Sequence, residues 1–349
     1  MRLADFDFHL PEELIAQEAL ADRAAARMLV VYHNEGRWED HTFRDFPDFL
    51  SAGDCLVLND SRVFPARLYG HRVGVNALPV GKHNPKRHEN LSGRVEVFLL
   101  RSTSDDGREW QALVRPGRKM RTGEHILFDG LETEIVGRGE FGERTIRFLG
   151  DDDLWAAFER IGHVPLPPYI KRPDSAADRE RYQTVFAKER GSVAAPTAGL
   201  HFTPEVLARC GAAEIAYVTL HVGLGTFQPL HDPEVERAHL HSEQYRITPE
   251  SARKIAEARR VVAVGTTSVR TIETAARTGR NSGETDIFFY PGAEFLRTGA
   301  MLTNFHLPKT SLLLLICAFA GTELALAAYR HAVEERYRFY SYGDCMLIV

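Results

Sequence analysis
From about Val63 to Gly150 this sequence is a series of short stretches that alternate apolar and polar residues between turns, at 66–73, 94–101, 109–114, 125–128, 132–136 and 144–148. A period of two puts one face of each stretch in a core and the other in solvent. Six such strands without a strong helical period among them specify a small antiparallel barrel. Only two apolar strands precede this window, at 28–32 and 55–58, too few to bury themselves. After it, strands at 215–222, 241–247, 261–264, 286–290, 301–305 and 346–349 alternate with helices. That alternation implies a sheet covered on its faces. The early strands need the later sheet, so the barrel interrupts a larger α/β domain. Residues 1–62 and 151–349 are expected to form the discontinuous α/β domain, and 63–150 the inserted β-barrel domain.

Local signals set several further elements. Pro11 is expected to open a short helix running to Leu20, with Glu12 and Glu13 at its positive end. Phe43, Phe46 and Phe49 recur at helical spacing as a core stripe. Thr203 is expected to cap a helix begun by Pro204, and Thr248 one begun by Pro249. Pro165, Pro167 and Pro168 make an extended linker. The polar stretch from Asn76 to Ser92 reads as a loop.

Bulk properties exclude some classes. With 349 residues, 44% hydrophobic and 26% charged, the chain has material for a sizeable core. Its net charge of −5 gives no global attraction to nucleic acid, so RNA contact must rest on local basic patches. Arg115, Arg118, Lys119 and Arg121 make one such loop in the barrel, and Lys171, Arg172 and Arg179 belong to a second charged run. Each is either a grip on a phosphate backbone or a solvated tip. Cys55, Cys210, Cys317 and Cys345 lack the spacing of a metal site or a disulfide framework, which fits a reducing cytoplasm. Acidic residues at Asp5, Asp7, Glu12 and Glu13 are wrong for a signal peptide. The apolar run 312–320 is too short to span a bilayer.

Residues 193–202, V-A-A-P-T-A-G-L-H-F, have the period of neither helix nor strand. They form a tight, backbone-dominated loop whose polar side chains are Thr197 and His201. The loop is either a structural turn or the wall of a small-molecule site. Ligands of such sheets bind outside the carboxyl ends of strands. Several strand ends here carry small or polar clusters: Asn59 to Arg62, His221 with Gly223, Gly225 and Thr226, Gly265 to Ser268, and Asn304 with His306. Their convergence is a better signal than any one of them. The G-x-G lacks the remainder of a dinucleotide fingerprint.

Backbone N–H groups after Gly265 favour an anion, with Ser268 as a possible cap. Arg270 suits a carboxylate or phosphate, or else a salt bridge. Glu243, on a β-like stretch with His241 and Tyr245, is a base, a cation ligand or an ordinary surface glutamate. His201, His221 and His306 are acid–base candidates, at least one of them a satisfied core histidine.

Taken together these motifs resemble a known family. V-A-A-P-T-A-G-L-H-F, H-V-G-L-G-T-F, H-S-E, V-G-T-T-S-V-R and T-N-F-H-L-P-K-T-S-L look like those of the S-adenosylmethionine:tRNA ribosyltransferase-isomerases of queuosine biosynthesis. The N-terminal D-F-D-F-H-L-P-E-E-L-I-A-Q and L-N-D-S-R-V-F-P-A-R match as well, as does Y-R-F-Y-S-Y-G-D near the end. The likeness covers nearly the whole chain, and its main departure is Asn76 to Ser92, longer than the family pattern.

The resemblance implies transfer and isomerisation of the ribosyl part of S-adenosylmethionine onto 7-aminomethyl-7-deazaguanine at the tRNA wobble position. The products would be epoxyqueuosine-tRNA, adenine and methionine. S-adenosylmethionine would be consumed as a substrate, without metal or further cofactor. Apart from the resemblance, the chain is expected to be a cytoplasmic monomer with no membrane association. On this reading His201 and Glu243 lead as acid–base groups, and Arg62 and Arg270 hold carboxylate or phosphate. Thr197, Gly199, Gly223, Gly225, Thr226, Thr266 and Thr267 shape the donor pocket, with His221, Tyr245, Asn304 and His306 as further contacts.

Two rivals remain open. A methyltransferase would use the same donor and release S-adenosylhomocysteine, but its glycine-rich first loop is missing near the N-terminus. A non-catalytic RNA-binding protein would leave the polar strand ends unexplained.

Overall fold
The computed structural model describes residues 1–73, 94–117, 120–139, 142–223, 230 and 232–349. They divide into two compact units, Met1–Arg62 with Pro167–Pro173 and Glu180–Val349, and Val63–Leu166 with Asp174–Arg179. The first holds a nine-stranded mixed sheet and the second a closed six-stranded barrel, the architecture expected from the sequence.

In the barrel the neighbours run Glu143–Phe148, Glu109–Arg115, Arg94–Ser102, Arg67–Val73, His125–Phe128 and Leu131–Arg138, and the last pairs back with the first. Every pairing is antiparallel. The alternation does what the sequence asks of it. Val95, Val97, Leu99, Ala112, Ile126 and Ile135 point inward and are buried, while their neighbours along each strand are not. One ion pair lies inside, Arg72 to Glu124 at 2.6 Å, both side chains almost wholly buried.

The sheet of the first unit runs Ser282–Thr285, Glu243–Ile247, Glu214–Leu220, Asp54–Asn59, Arg260–Val264, Thr298–Asn304, Cys345–Ile348, Arg27–Tyr32 and Arg37–Thr42. Its middle four strands, Glu214–Leu220 through Thr298–Asn304, are mutually parallel. Both faces are buried, as parallel strands require. Leu29, Val31, Cys55 and Val57 face one core, which the helices Thr266–Thr278, Ser311–Ala320 and Thr322–Glu334 cover. Met28, Val30, Leu56 and Leu58 face another, closed by the 3-10 turns of Phe43–Phe49 and the helix Pro204–Arg209. Thr203 and Thr248 cap their helices as expected, accepting from the Val206 and Ser251 N–H groups. Among the described residues no single helix is long and apolar enough to cross a membrane.

The structure corrects three local expectations and adds one strand. Only Glu12–Leu14 turns after Pro11, because Ile15 leaves to bridge Phe339, and Ala16 N–H bonds the Phe339 carbonyl. Residues 286–290 make no ladder. The strand there is Ser282–Thr285, and the Thr285 and Ile287 carbonyls accept from Arg270 instead. Arg37–Thr42 is an additional strand, polar and largely exposed at the sheet edge, where charge is tolerated. Ser268 is not a cap, since Gly265 occupies that position with φ of 85° and the Ser268 hydroxyl donates to the Val264 carbonyl. The expected loop 76–92 lies outside the described residues.

Candidate functional site
The four parallel strands end on one side of the sheet, at Leu220, Asn59, Val264 and Asn304. From the Asp54–Asn59 strand the chain builds outward through Glu214–Leu220 and Glu243–Ile247. It then crosses back and builds outward through Arg260–Val264 and Thr298–Asn304. Such a reversal opens a crevice at the carboxyl ends. Asn59 ties these ends together. Its amide donates to the Leu220 carbonyl at 3.1 Å and Thr267 Oγ1 at 3.2 Å, and accepts from the Ser61 and Leu220 N–H groups at 3.1 Å.

A cavity of about 580 Å³ opens at these ends, a size suited to a nucleoside-bearing small molecule. Thr197, Thr266, Thr267, Asn304 and His306 line it, so the structure brings together five residues that the sequence singled out. Thr266 and Thr267 start the helix Thr266–Thr278, whose first-turn N–H groups have no partner within the helix and favour negative charge. His306 is buried, with Nε2 2.8 Å from Thr303 Oγ1, and burial lowers its pKa to about 3. It is uncharged at neutral pH.

Other expected residues stand apart from this wall. Gly199 lies within the loop, where a Cβ would sit 2.8 Å from Thr184 Cγ2 and 2.9 Å from the Phe186 ring, so a larger residue would force these side chains to shift. His201 packs on Phe43 and borders a small recess with Arg23 and Ser341. Burial, assisted by the positive charges of Arg23 and Arg338, lowers its pKa to about 4, against an opposing contribution from the Asn304 amide. Neither His201 Nε2 nor Asn304 Oδ1, both buried, has a close hydrogen-bond partner. The Asn304 amide nitrogen donates to the Tyr340 carbonyl at 2.9 Å. His201 thus interacts with Asn304, which lines the cavity beside Tyr340.

Glu243 and Arg270 meet each other rather than the cavity. They form a buried ion pair. Glu243 Oε1 also accepts from the Gly223 N–H at 2.9 Å, and Arg270 donates to the Ile287 and Thr285 carbonyls. Tyr245 is buried, its hydroxyl on the Arg280 carbonyl at 3.0 Å. His221 has Nδ1 buried without a hydrogen-bond partner, and burial lowers its pKa. Arg62 is exposed. Gly225 and Thr226 lie outside the described residues, as do Arg118 and Lys119.

Of the basic residues, Arg115 and Arg121 are exposed on the barrel unit. Arg172 donates to the Gln17 and Pro173 carbonyls, and Arg179 to those of Glu159 and Gly162. Lys171 pairs with Glu12 at the surface. Among the described residues no group of three or more His, Cys, Asp or Glu is placed to hold a metal ion.

Three lining residues were missed in the sequence reading. The Tyr169 and Tyr340 rings lie against each other, centroids 3.8 Å apart and planes tilted by 33°, and both line the cavity. Lys309 is the only lysine or arginine among the described lining residues. Tyr340 and Lys309 also have left-handed backbones, with φ of 73° and 58°. No periodicity marks any of them. The one sequence signal of Lys309 and Tyr340 was membership of the motifs T-N-F-H-L-P-K-T-S-L and Y-R-F-Y-S-Y-G-D, and Tyr169 had none.

Comparison with known proteins gives a consistent picture. A family model described as queuosine biosynthesis protein matches residues 3–348. The chain is 76% identical over 352 residues to the S-adenosylmethionine:tRNA ribosyltransferase-isomerase of Solibacter usitatus, covering 100% of both chains. It is 46% identical over 361 residues to the protein of that name from Desulforamulus reducens, again across 100% of both. Among solved structures, the S-adenosylmethionine tRNA ribosyltransferase of Thermotoga maritima is similar over 99% of this chain and 100% of its own. That likeness has 36% identity and a TM-score of 0.54.

Proposed function
The chain belongs to the queuosine biosynthesis family, and on that basis we propose that the cavity at the carboxyl ends of its parallel strands is the donor site of an S-adenosylmethionine:tRNA ribosyltransferase-isomerase. The enzyme transfers and isomerises the ribosyl moiety of S-adenosylmethionine onto 7-aminomethyl-7-deazaguanine at the tRNA wobble position. Epoxyqueuosine-tRNA, adenine and methionine are the products. The observation that supports this placement most directly is the cavity of about 580 Å³ formed by Thr197, Thr266, Thr267, Asn304 and His306.

The chemistry asks for particular surroundings. A proton must leave the ribose C5′ beside the sulfonium, the acceptor amine must be neutral to attack C1′, and adenine must depart before the epoxide closes and methionine leaves. The Tyr169 and Tyr340 rings offer aromatic surface for the purine. A largely apolar cavity favours the neutral form of an amine. His306 and His201, uncharged at neutral pH, do not repel the sulfonium. We assign His201 a positioning role through Asn304, and Glu243 a structural role through Arg270, in place of the acid–base roles expected from residue type. The scheme draws on no metal or additional cofactor, because the sulfonium itself activates the carbon that must lose its proton.

We place the tRNA contacts on exposed Arg115 and Arg121 of the barrel unit, where phosphate attraction is screened by salt. Arg172 and Arg179 donate to backbone carbonyls and are less available. The protein is proposed to act in the cytoplasm as a monomer. Its four cysteines are free and buried, and its exposed large apolar side chains, Met1, Val185, Tyr217 and Leu296, are scattered along the sequence.

The test is to incubate the protein with S-adenosylmethionine and tRNA carrying the aminomethyl base, and to separate the small products. Free adenine and methionine are expected. Release of S-adenosylhomocysteine would point to a methyltransferase, and tRNA binding without donor consumption to a non-catalytic RNA-binding protein.

A further inference from the structure
S-adenosylmethionine carries, beyond its sulfonium and nucleoside, an α-carboxylate and an α-ammonium on one carbon. A site that reads this end needs one cation and one anion close together. Lys309 Nζ lies 2.6 Å from Asp7 Oδ2, and both side chains are about half exposed, at 47% and 46%. Lys309 lines the cavity, and Asp7 lines a recess that shares Leu307 and Pro308 with it.

The lysine is placed with care. Its backbone is left-handed, with φ of 58°, a conformation that a residue with a Cβ adopts only when its surroundings impose it. Here its N–H bonds the Phe6 carbonyl at 2.9 Å. Pro308 precedes it, and Thr310 behind it caps the helix Ser311–Ala320 by accepting from the Leu313 N–H. The carbonyl of Phe6 and the carboxylate of Asp7 are adjacent in the chain, so the same N-terminal segment fixes the Lys309 backbone and neutralises its ammonium. A solvated surface pair needs neither constraint.

Resting on the donor reading given above, we infer that Lys309 and Asp7 together recognise the amino-acid zwitterion of S-adenosylmethionine, Lys309 taking the α-carboxylate and Asp7 the α-ammonium. Donor binding exchanges one ion pair for two of the same kind, and because both side chains are already half in water the exchange requires little desolvation. Before the donor arrives, Asp7 neutralises the lysine, so the cavity does not repel a sulfonium.

The experiment compares S-adenosylmethionine with decarboxylated S-adenosylmethionine, which keeps the ammonium and lacks the carboxylate. Adenine release is measured at saturating tRNA for the wild type, Lys309→Met, Lys309→Arg and Asp7→Asn. The wild type should have a lower KM for the intact donor by about tenfold or more, the scale of one charge-assisted hydrogen bond. Lys309→Met should raise KM for the intact donor by a similar factor, leave KM for the decarboxylated donor unchanged, and so remove the discrimination. Lys309→Arg should retain most of it. Asp7→Asn should raise KM for both donors.

Equal loss on both donors in Lys309→Met, or discrimination undiminished by it, would overturn the inference. So would a wild type that treats the two donors alike. A wild type that releases no adenine from intact donor would instead remove the functional reading on which the inference rests. A fall in kcat alone, with KM unchanged for both donors, would mark Lys309 as a support of the wall and also overturn the proposal.

Discussion

The cavity at the strand ends and the Glu243–Arg270 pair are built from similar materials, yet they leave their polar atoms in opposite conditions. At the pair, Glu243 holds Arg270 and the Gly223 N–H, while Arg270 also serves two backbone carbonyls. Both side chains are buried, and each satisfies the other. At the cavity, helix N–H groups at Thr266 and Thr267 have no intrahelical partner, Asn304 Oδ1 has no close partner, and Lys309 is half exposed. A titratable residue at a strand end is thus no guide to chemistry until its partners are known. The closed cluster holds strands together, and the open one is left with groups for a ligand.

The largest effect should come from opening the closed cluster. Arg270→Met strands the Glu243 carboxylate in the interior, and removing one partner of a buried ion pair costs about 3–5 kcal/mol. Urea denaturation should show that loss. A change below about 1 kcal/mol would mean that the pair behaves like a solvated one, no more closed than the cavity.

The next test concerns His201, which sits between the two conditions. Its folded pKa, about 4, lies below the ordinary value of roughly 6.5, so the unfolded chain binds the proton first. Stability is therefore complete above about pH 6.5 and declines as pH falls towards the folded value, by about 2 kcal/mol between roughly pH 7 and pH 5. In His201→Gln that part of the decline should vanish, leaving a shallower pH slope. An unchanged slope would show that the ring titrates in the folded state as if exposed.

The smallest effect belongs to the frame of the cavity wall. Thr203 accepts from the Val206 N–H just after the loop that carries Thr197, and Thr203→Ala should cost about 1 kcal/mol by thermal denaturation. If it also raised KM for the donor severalfold, the wall would depend on its helix more closely than the Glu243–Arg270 cluster does.

Much of the fold could be read from the chain because its signals were local. The six barrel strands follow from a period of two, and both Thr-Pro helix starts from the geometry of a cap. Arg37–Thr42 escaped because a polar edge strand has no apolar alternation to show. Residues 286–290 misled because an apolar run records burial, whereas a ladder needs a free backbone, and Arg270 occupies the Ile287 carbonyl there. At the site, Thr266, Thr267, Asn304 and His306 were legible as ends of parallel strands. Tyr169, Lys309 and Tyr340 were not, since irregular backbone carries them and a left-handed lysine or tyrosine leaves no trace in composition. For His201 and Glu243 the sequence supplied the residue types, while burial and partners are visible only in the structure.

The order of strands has a consequence for how the protein is made. Arg27–Tyr32 and Arg37–Thr42 reach the rest of the sheet only through Cys345–Ile348, which lies between them and Thr298–Asn304. A hairpin that leaves the ribosome early must therefore wait, with apolar Met28 to Val31 unburied, until almost the whole chain has followed. The barrel has no such delay, since its pairings all fall between Arg67 and Phe148. During synthesis the barrel can be finished while the unit that holds the strand-end cavity is still open, and the early hairpin is the segment most in need of protection by a chaperone.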